Sequence, residues 1–478
     1  MDPSDFRRYG HELVDWIADY FEHPDRYPVL SRLTPGDIVS ALPAEAPEDP
    51  ESFDAIFADF ERVLVPGLTH WNHPGFFAYF AISASPPGVL AEFLSAALNQ
   101  QAMLWRTSPA ATELEQVALG WLRKLLGLPE AFEGVIYDTA SIATMHALIA
   151  AREAALPSAR MKGLAGRPDV PPLRVYTSDQ ANLSVDKAMI AIGLGHDSLK
   201  KIPVNDRFEM RVDALEEAIA RDRADGVLPI AVMPTVGTTV TTSVDPVPAI
   251  ADVCARERLW LHVDAAYAGA AAMLASHAHV LAGAERADSV VVNPHKWLFT
   301  PFDLSAFFCR RMDVVRGAFS LRPDYLRSAD RGDVRNLMDT GVQLGRRFRA
   351  LKLWMILRSH GARGVREILS GHIALAQQFA AWVDEDPDFE RLAPVPFSVV
   401  CFRWNPSASQ LSEAELDAAN ERLVDAVNRQ GDVFLSQARV GGKLAIRLAI
   451  GHLRTTGQHV RRAWDLLKTC SARPARAI

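Results

Sequence analysis

The sequence predicts an α/β protein built on a mainly parallel sheet with helices on both faces. From about residue 133 to 293, short β-branched runs alternate with helical stretches. Those runs are apolar throughout, the pattern of strands buried on both faces. At 478 residues the chain exceeds one hydrophobic core, so two or three lobes are expected.

The elements follow in order. Residues 8–22 place Leu13, Val14, Ile17, Ala18 and Phe21 at helical spacing. The Pro-rich stretch 42–50 reads as a linker, and 53–66 as a second amphipathic helix ending before Pro66. This arm has little core of its own and is expected to dock on another lobe or subunit. GVIYD (134–138) precedes a helix from about 141, and LRVYTS (173–178) one from about 184. LPIAVMPT (228–235) precedes a helix from about 246, and LWLHVD (259–264) and DSVVVN (288–293) follow. LGRRFRALKLWMILRSHG (344–361) reads as a long helix leaving the sheet. The strands FSVVCFRW (397–404) and LAIRLAI (444–450), then a helix over 457–468, predict a smaller α+β domain. The expected division is an arm over 1–80, a large α/β domain over 81–345 and a small domain over 346–478.

Composition narrows the function. Hydrophobic residues make up 49% and charged residues 23%, ordinary for a globular enzyme. With 51 Lys+Arg against 58 Asp+Glu and no dense basic block, nucleic acid is an unfavourable partner. Cys254, Cys309, Cys401 and Cys470 lack CxxC spacing, so reduced thiols in the cytoplasm and no metal site are expected. No signal peptide or run of 18 apolar residues is present, so no membrane association is expected.

Ligands of parallel sheets bind at the carboxyl ends of the strands, and three such ends carry unusual groups. Asp264 ends LWLHVD and is followed by small residues. A buried carboxylate there needs a cation, a helix to cap or an ion pair. Lys296 follows DSVVVN in NPHKW, between His295 and Trp297. Desolvation would lower its pKa, which suits an amine that attacks a carbonyl. Thr139, Ala140 and Ser141 stand where a strand gives way to a helix, an anion site if the helix is not capped by its own side chains. One ligand answers all three: pyridoxal 5′-phosphate (PLP), with its aldehyde, pyridinium nitrogen and phosphate.

In these segments the chain resembles the aromatic-L-amino-acid decarboxylases, group II PLP decarboxylases of fold type I. The likeness runs from FRRYGHELVDWIADY through PGLTHWNHPGFFAYF (66–80), LWRTSPAATELE, SDQANLSVDKA, PTVGTT, HVDAAYAG, NPHKW and LGRRFRALKLW to the last helix. It implies a seven-stranded sheet and a homodimer with active sites at the interface. It implies that Lys296 anchors PLP, Asp264 protonates the ring nitrogen and Ala266 packs under the ring. Thr139, Ala140, Ser141, Asn293 and His295 would surround the phosphate, and Thr235 would lie near the ring. Trp71, Tyr79 and Phe80 would line the substrate pocket, with Gln101 and Met103 reaching in from the partner. The reaction implied is decarboxylation of an aromatic amino acid such as Trp, Phe, Tyr or dopa to its amine and CO₂.

Two departures open an alternative. Animal relatives carry a histidine that stacks on the cofactor where this chain has Asn182. They also carry a proton-donating loop tyrosine where a gap-free count from LGRRFR lands on Leu337. The resemblance links such changes to aldehyde synthases, which release an aromatic acetaldehyde, CO₂, ammonia and H₂O₂. Asparagine cannot act as an acid near pH 7; Lys296, His295 and water remain as proton sources. Gln101 could bond a phenol or indole, or serve an interface. Arg106 is the candidate cation for an acidic substrate, and Arg447 could bind a carboxylate in an aminotransferase.

Overall fold

The computed structural model describes residues 1–321, 334–407 and 410–472. Seven strands form the central sheet: β1 (Glu133–Tyr137), β2 (Leu173–Ser178), β3 (Leu199–Ile202), β4 (Leu228–Met233), β5 (Trp260–Asp264), β6 (Ser289–Val292) and β7 (Ser305–Cys309). Their spatial order is β1-β7-β6-β5-β4-β2-β3. β7 pairs antiparallel with both β1 and β6, while β6, β5, β4, β2 and β3 pair in parallel. The carboxyl ends of β1, β2, β4, β5 and β6 therefore lie on one edge. The strands are buried almost throughout, as their unbroken apolar runs require.

Four more strands form a second sheet, in the order β10-β11-β9-β8: β8 (Phe389–Arg391), β9 (Val399–Trp404), β10 (Ser436–Val440) and β11 (Lys443–Ala449). The Glu413–Asn428 and Gly457–Ser471 helices belong to this C-terminal part, and both begin with a capping box.

Near the amino terminus, the Pro3–Glu22 helix packs Trp16 against Phe57 and Phe60. Its Tyr20 hydroxyl bonds His70 Nδ1 at 3.0 Å. The long helix starts at Ala350, not at Leu344, and breaks at Gly361, where φ is +64°. Residues 344–349 are irregular because Arg346 is pulled inward to an ion pair with Glu115. A continuous helix over those residues would have to give up that buried pair.

Candidate active site

The edge formed by the strand ends brings Thr139, Thr235, Asp264 and Asn293–Lys296 to one side of the sheet. β5 and β6 are neighbours, so Asp264 and the segment after Val292 lie side by side. Thr235 forms a bridge with Asp264 beyond the end of β4.

Asp264 is buried, and its Oδ1 accepts from Ala266 N at 3.0 Å. Burial pushes its pKa above the usual carboxylate range, and the nearby Lys296 opposes that. Burial lowers the Lys296 amine, with Asp264 opposing. The two groups form a desolvated acid–base pair, each shifted toward its neutral form by burial and pulled back by the other. Lys296 Nζ lies 5.2 Å from the centre of the Phe80 ring. Phe80 stacks on Tyr267 at 3.9 Å and Tyr267 on Trp297 at 4.8 Å, an aromatic wall beside the lysine.

His295 and Asn293 are held from behind. Leu304 N donates to His295 Nδ1 at 3.0 Å, which leaves Nε2 as the protonated nitrogen. Burial drives the His295 pKa down to about 3, so the ring is neutral near pH 7. Ser305 Oγ donates to Asn293 Oδ1 at 2.6 Å, and Asn293 N donates to Ala266 O at 2.9 Å. Thr139 is the N-cap of the Ala140–Ala155 helix but makes no side-chain cap hydrogen bond. The first N–H groups of that 16-residue helix are thus open to an external acceptor, as a phosphate site requires. Ser141 is exposed at this turn.

Asn182 follows β2 and is exposed; its Nδ2 donates to Thr239 Oγ1 at 3.0 Å. Leu337 does not stand on an open loop. It begins a 3₁₀ turn (Leu337–Thr340) and is buried in the core cluster that holds Tyr137 and Phe307. Residues 322–333, in the loop expected ahead of LGRRFR, lie outside the described residues.

The three pocket aromatics separate. Trp71 and Tyr79 stack on each other at 5.8 Å and are 37% and 53% exposed, whereas Phe80 is turned inward beside Lys296. Gln101 Oε1 accepts from Arg346 N at 2.7 Å within its own chain. Met103 O accepts from Met338 N at 3.1 Å, which ties the 101–105 segment to the turn of Leu337.

One supporting residue escaped the sequence reading, and another has a different role from the one expected. Asp245 is buried and accepts from Thr235 N and Met210 N, both at 2.7 Å, so it braces the turn beside Asp264. Burial raises its pKa to about 7. The segment SVDP follows PTVGTT, and a lone acid after a turn gave no signal of this role. Arg447, the candidate carboxylate receptor, is fully engaged instead. It donates to the carbonyls of Val240 (3.0 Å), Thr239 (2.8 Å) and Tyr79 (3.3 Å) and to Ser436 Oγ (3.2 Å). Ser436 Oγ also accepts from Tyr79 N at 3.2 Å, which holds Tyr79 at φ +49°.

An amine near a carboxylate, beside an uncapped helix terminus, suits a cofactor with an aldehyde, a basic ring nitrogen and a phosphate. The known proteins agree. Residues 35–405 match the pyridoxal-dependent decarboxylase conserved domain. The chain belongs to the PLP-dependent decarboxylases. It is 40% identical to the aromatic-L-amino-acid decarboxylase of Sus scrofa, over 99% of this chain and 97% of that one. It is 39% identical to a phenylacetaldehyde synthase of Arabidopsis thaliana, over 98% and 96% of the two chains. The crystal structure of Oryza sativa TDC with PLP and tryptamine superposes with a TM-score of 0.95 at 37% identity, covering 98% of each chain. The shared architecture is that of PLP decarboxylases, and PLP is the cofactor of this family member.

Proposed function

We propose that this decarboxylase converts an aromatic L-amino acid to its amine and CO₂ with PLP anchored on Lys296. The observation that carries the reading is buried Asp264 beside half-buried Lys296, next to the open terminus of the Ala140–Ala155 helix. In this reading Thr139, Ala140, Ser141, Asn293 and His295 hold the phosphate. Ala266 and Thr235 flank the ring, and Asp264 keeps its nitrogen protonated. When bound, PLP supplies an electron sink for the carbanion that loss of CO₂ leaves.

The chain's own part is orientation and proton handling. Neutral His295 is a donor to phosphate but not an acid near pH 7. Asn182 has no titratable proton, and Leu337 has none to give. Lys296, whose burial makes its ammonium a stronger acid, and water remain to deliver the proton to Cα. Trp71 and Tyr79 offer ring faces for an aromatic side chain.

A homodimer belongs to the same proposal. The Pro86–Leu98 helix exposes Leu90, Phe93, Leu94 and Leu98, an apolar stripe larger than scattered surface residues. Gln101 and Met103 follow it, placed to meet a second subunit. The division of the chain at residues 80 and 345 is retained with it. No described helix is long and apolar enough to cross a membrane, and the four cysteines are free, in keeping with a cytoplasmic setting.

A second reading is favoured by Asn182. With slow proton return, O₂ and water turn the substrate into an arylacetaldehyde, CO₂, ammonia and H₂O₂. The Arabidopsis thaliana relative carries the name of that activity. Aerobic turnover of Trp, Phe, Tyr, dopa and Glu separates the two when amine, aldehyde, ammonia and peroxide are each measured. Amine equal to CO₂ from an aromatic substrate, with Glu inert, is expected. Aldehyde matched by peroxide establishes the second reading, and a 2-oxo acid product defeats both.

A further inference from the structure

Residues 301–305, the run that leads into β7, back both His295 and Asn293. Leu304 pairs with His295 twice: its N–H donates to Nδ1 at 3.0 Å, and its carbonyl accepts from His295 N at 3.3 Å. Ser305 Oγ donates to Asn293 Oδ1 at 2.6 Å. Phe302 sets its ring 4.8 Å from the His295 ring. The direction in which His295 Nε2–H points is therefore decided by where this run sits.

One side chain clamps the run. Lys352, near the start of the Ala350–Glu385 helix, is 1% exposed. Its Nζ donates to Pro301 O at 3.0 Å and to Asp303 O at 2.9 Å, the carbonyls on either side of Phe302. The third donor meets Glu92 Oε1 at 2.5 Å. An ammonium this deeply buried needs such partners. Charge balance alone does not account for it. Glu92 also pairs with Arg347 at 3.1 Å, and Asp303 with Arg349 at 2.7 Å. Each acid thus has a cation without Lys352. What Lys352 adds is the grip on two main-chain carbonyls. The Pro86–Leu98 helix closes the other side: a Cβ at Gly88 would collide with Pro301, so that helix lies directly on the run.

We propose that Lys352 is a positioning residue for the cofactor phosphate: by clamping the carbonyls of Pro301 and Asp303, it aims His295 and Asn293 at that group. Its action is indirect and passes through residues 301–305. The inference rests on the reading that His295 and Asn293 hold the phosphate.

The test titrates the apoenzyme with PLP and with pyridoxal, which has the same ring and aldehyde but no phosphate. Lys352→Met, which keeps bulk and loses the donors, is expected to raise the Kd for PLP about tenfold and to leave that for pyridoxal unchanged. A merely structural loss would weaken both alike. The phosphorus NMR resonance of PLP on the Lys352→Met holoenzyme is expected to move from its wild-type position. Lys352→Gln, with donors on a shorter arm, is the milder second variant. Glu92→Gln spares the carbonyl bonds and is expected to keep the wild-type preference for PLP. His295→Gln is expected to lose it. A His295→Gln protein that keeps the preference defeats the phosphate reading, and the inference with it. If His295→Gln loses the preference while the Lys352 variants keep it and the resonance stays in place, the role of Lys352 is overturned and the phosphate reading stands. A Glu92→Gln protein that matches Lys352→Met also overturns it, because the ion pair would then be what matters.

Discussion

Asp264 and Lys296 each pull the other's titration back toward the charged form against a common burial penalty. That balance is what an amine and a ring-nitrogen partner need before PLP arrives. Asp264→Asn preserves shape and removes the charge. The expected kcat falls about a hundredfold or more, the scale of losing one preorganised electrostatic contact. PLP is expected to stay bound, seen as visible absorbance retained after desalting; an unchanged kcat would refute the role. Asn182 tests the product branch. It is exposed and anchored on Thr239, so Asn182→His introduces a titratable group near neutral pH without opening a core. The amine-to-aldehyde ratio in aerobic turnover is expected to rise, and a falling ratio would argue against proton supply as the deciding step. Asp264, Lys296 and Thr139 were legible because each breaks an apolar pattern at a strand end. Asp245 and Arg447 were not. Their work is done on backbone groups of remote segments, and no local spacing encodes which carbonyl an arginine will meet. Arg447 therefore looked like a substrate receptor until its four partners were seen.

At the scale of elements, the parallel strands were readable from their apolar runs, and β2 was bounded to the residue. β3 and β7 were not picked out by the run of strands and helices. LKKI is short and carries two lysines, and SAFFC lies directly after a loop rich in large apolar groups. The start of the long helix was misplaced because the helical pattern of 344–349 is overridden by one tertiary contact. Glu115 receives two bonds from Arg346 Nη2, at 2.7 and 2.9 Å, and one from Ile136 N at 2.8 Å. Arg346 also donates to Ile136 O at 3.0 Å. This buried pair ties the end of β1, three residues before Thr139, to the 345–346 segment that holds Gln101. Glu115→Ala leaves a guanidinium buried without its partner, at a cost of roughly 3–5 kcal/mol. Denaturant titration is expected to show that loss together with weaker PLP retention. A change under about 1 kcal/mol would mean the pair contributes little beyond what replacement water supplies.

For the whole molecule, the count of buried imidazoles sets the response to acid. Burial lowers His146, His262 and His295 to about 3, and His73 and His372 to about 4, against 6.5 when unfolded. Below pH 6.5 the unfolded chain therefore takes up protons that the folded chain refuses, and these five groups remove stability as pH falls. Three carboxylates act the other way. Asp245, at about 7 when folded and 3.8 when unfolded, keeps a proton that the unfolded chain has lost, and Asp264 and Asp288 shift in the same direction. Their contribution grows as pH falls toward 3.8. The histidines outnumber them, and each net proton is worth about 1.4 kcal/mol per pH unit. The urea midpoint of the apoenzyme is accordingly expected to drop between pH 7.5 and 5. A flat or rising midpoint would mean that the carboxylates prevail. His262→Asn isolates one contributor: His262 is fully buried with Nδ1 on Ser289 Oγ at 2.8 Å and an unpartnered Nε2. Its replacement should flatten the acid limb by about one proton's slope, provided the variant folds at pH 7.5, where the histidine is already neutral in both states.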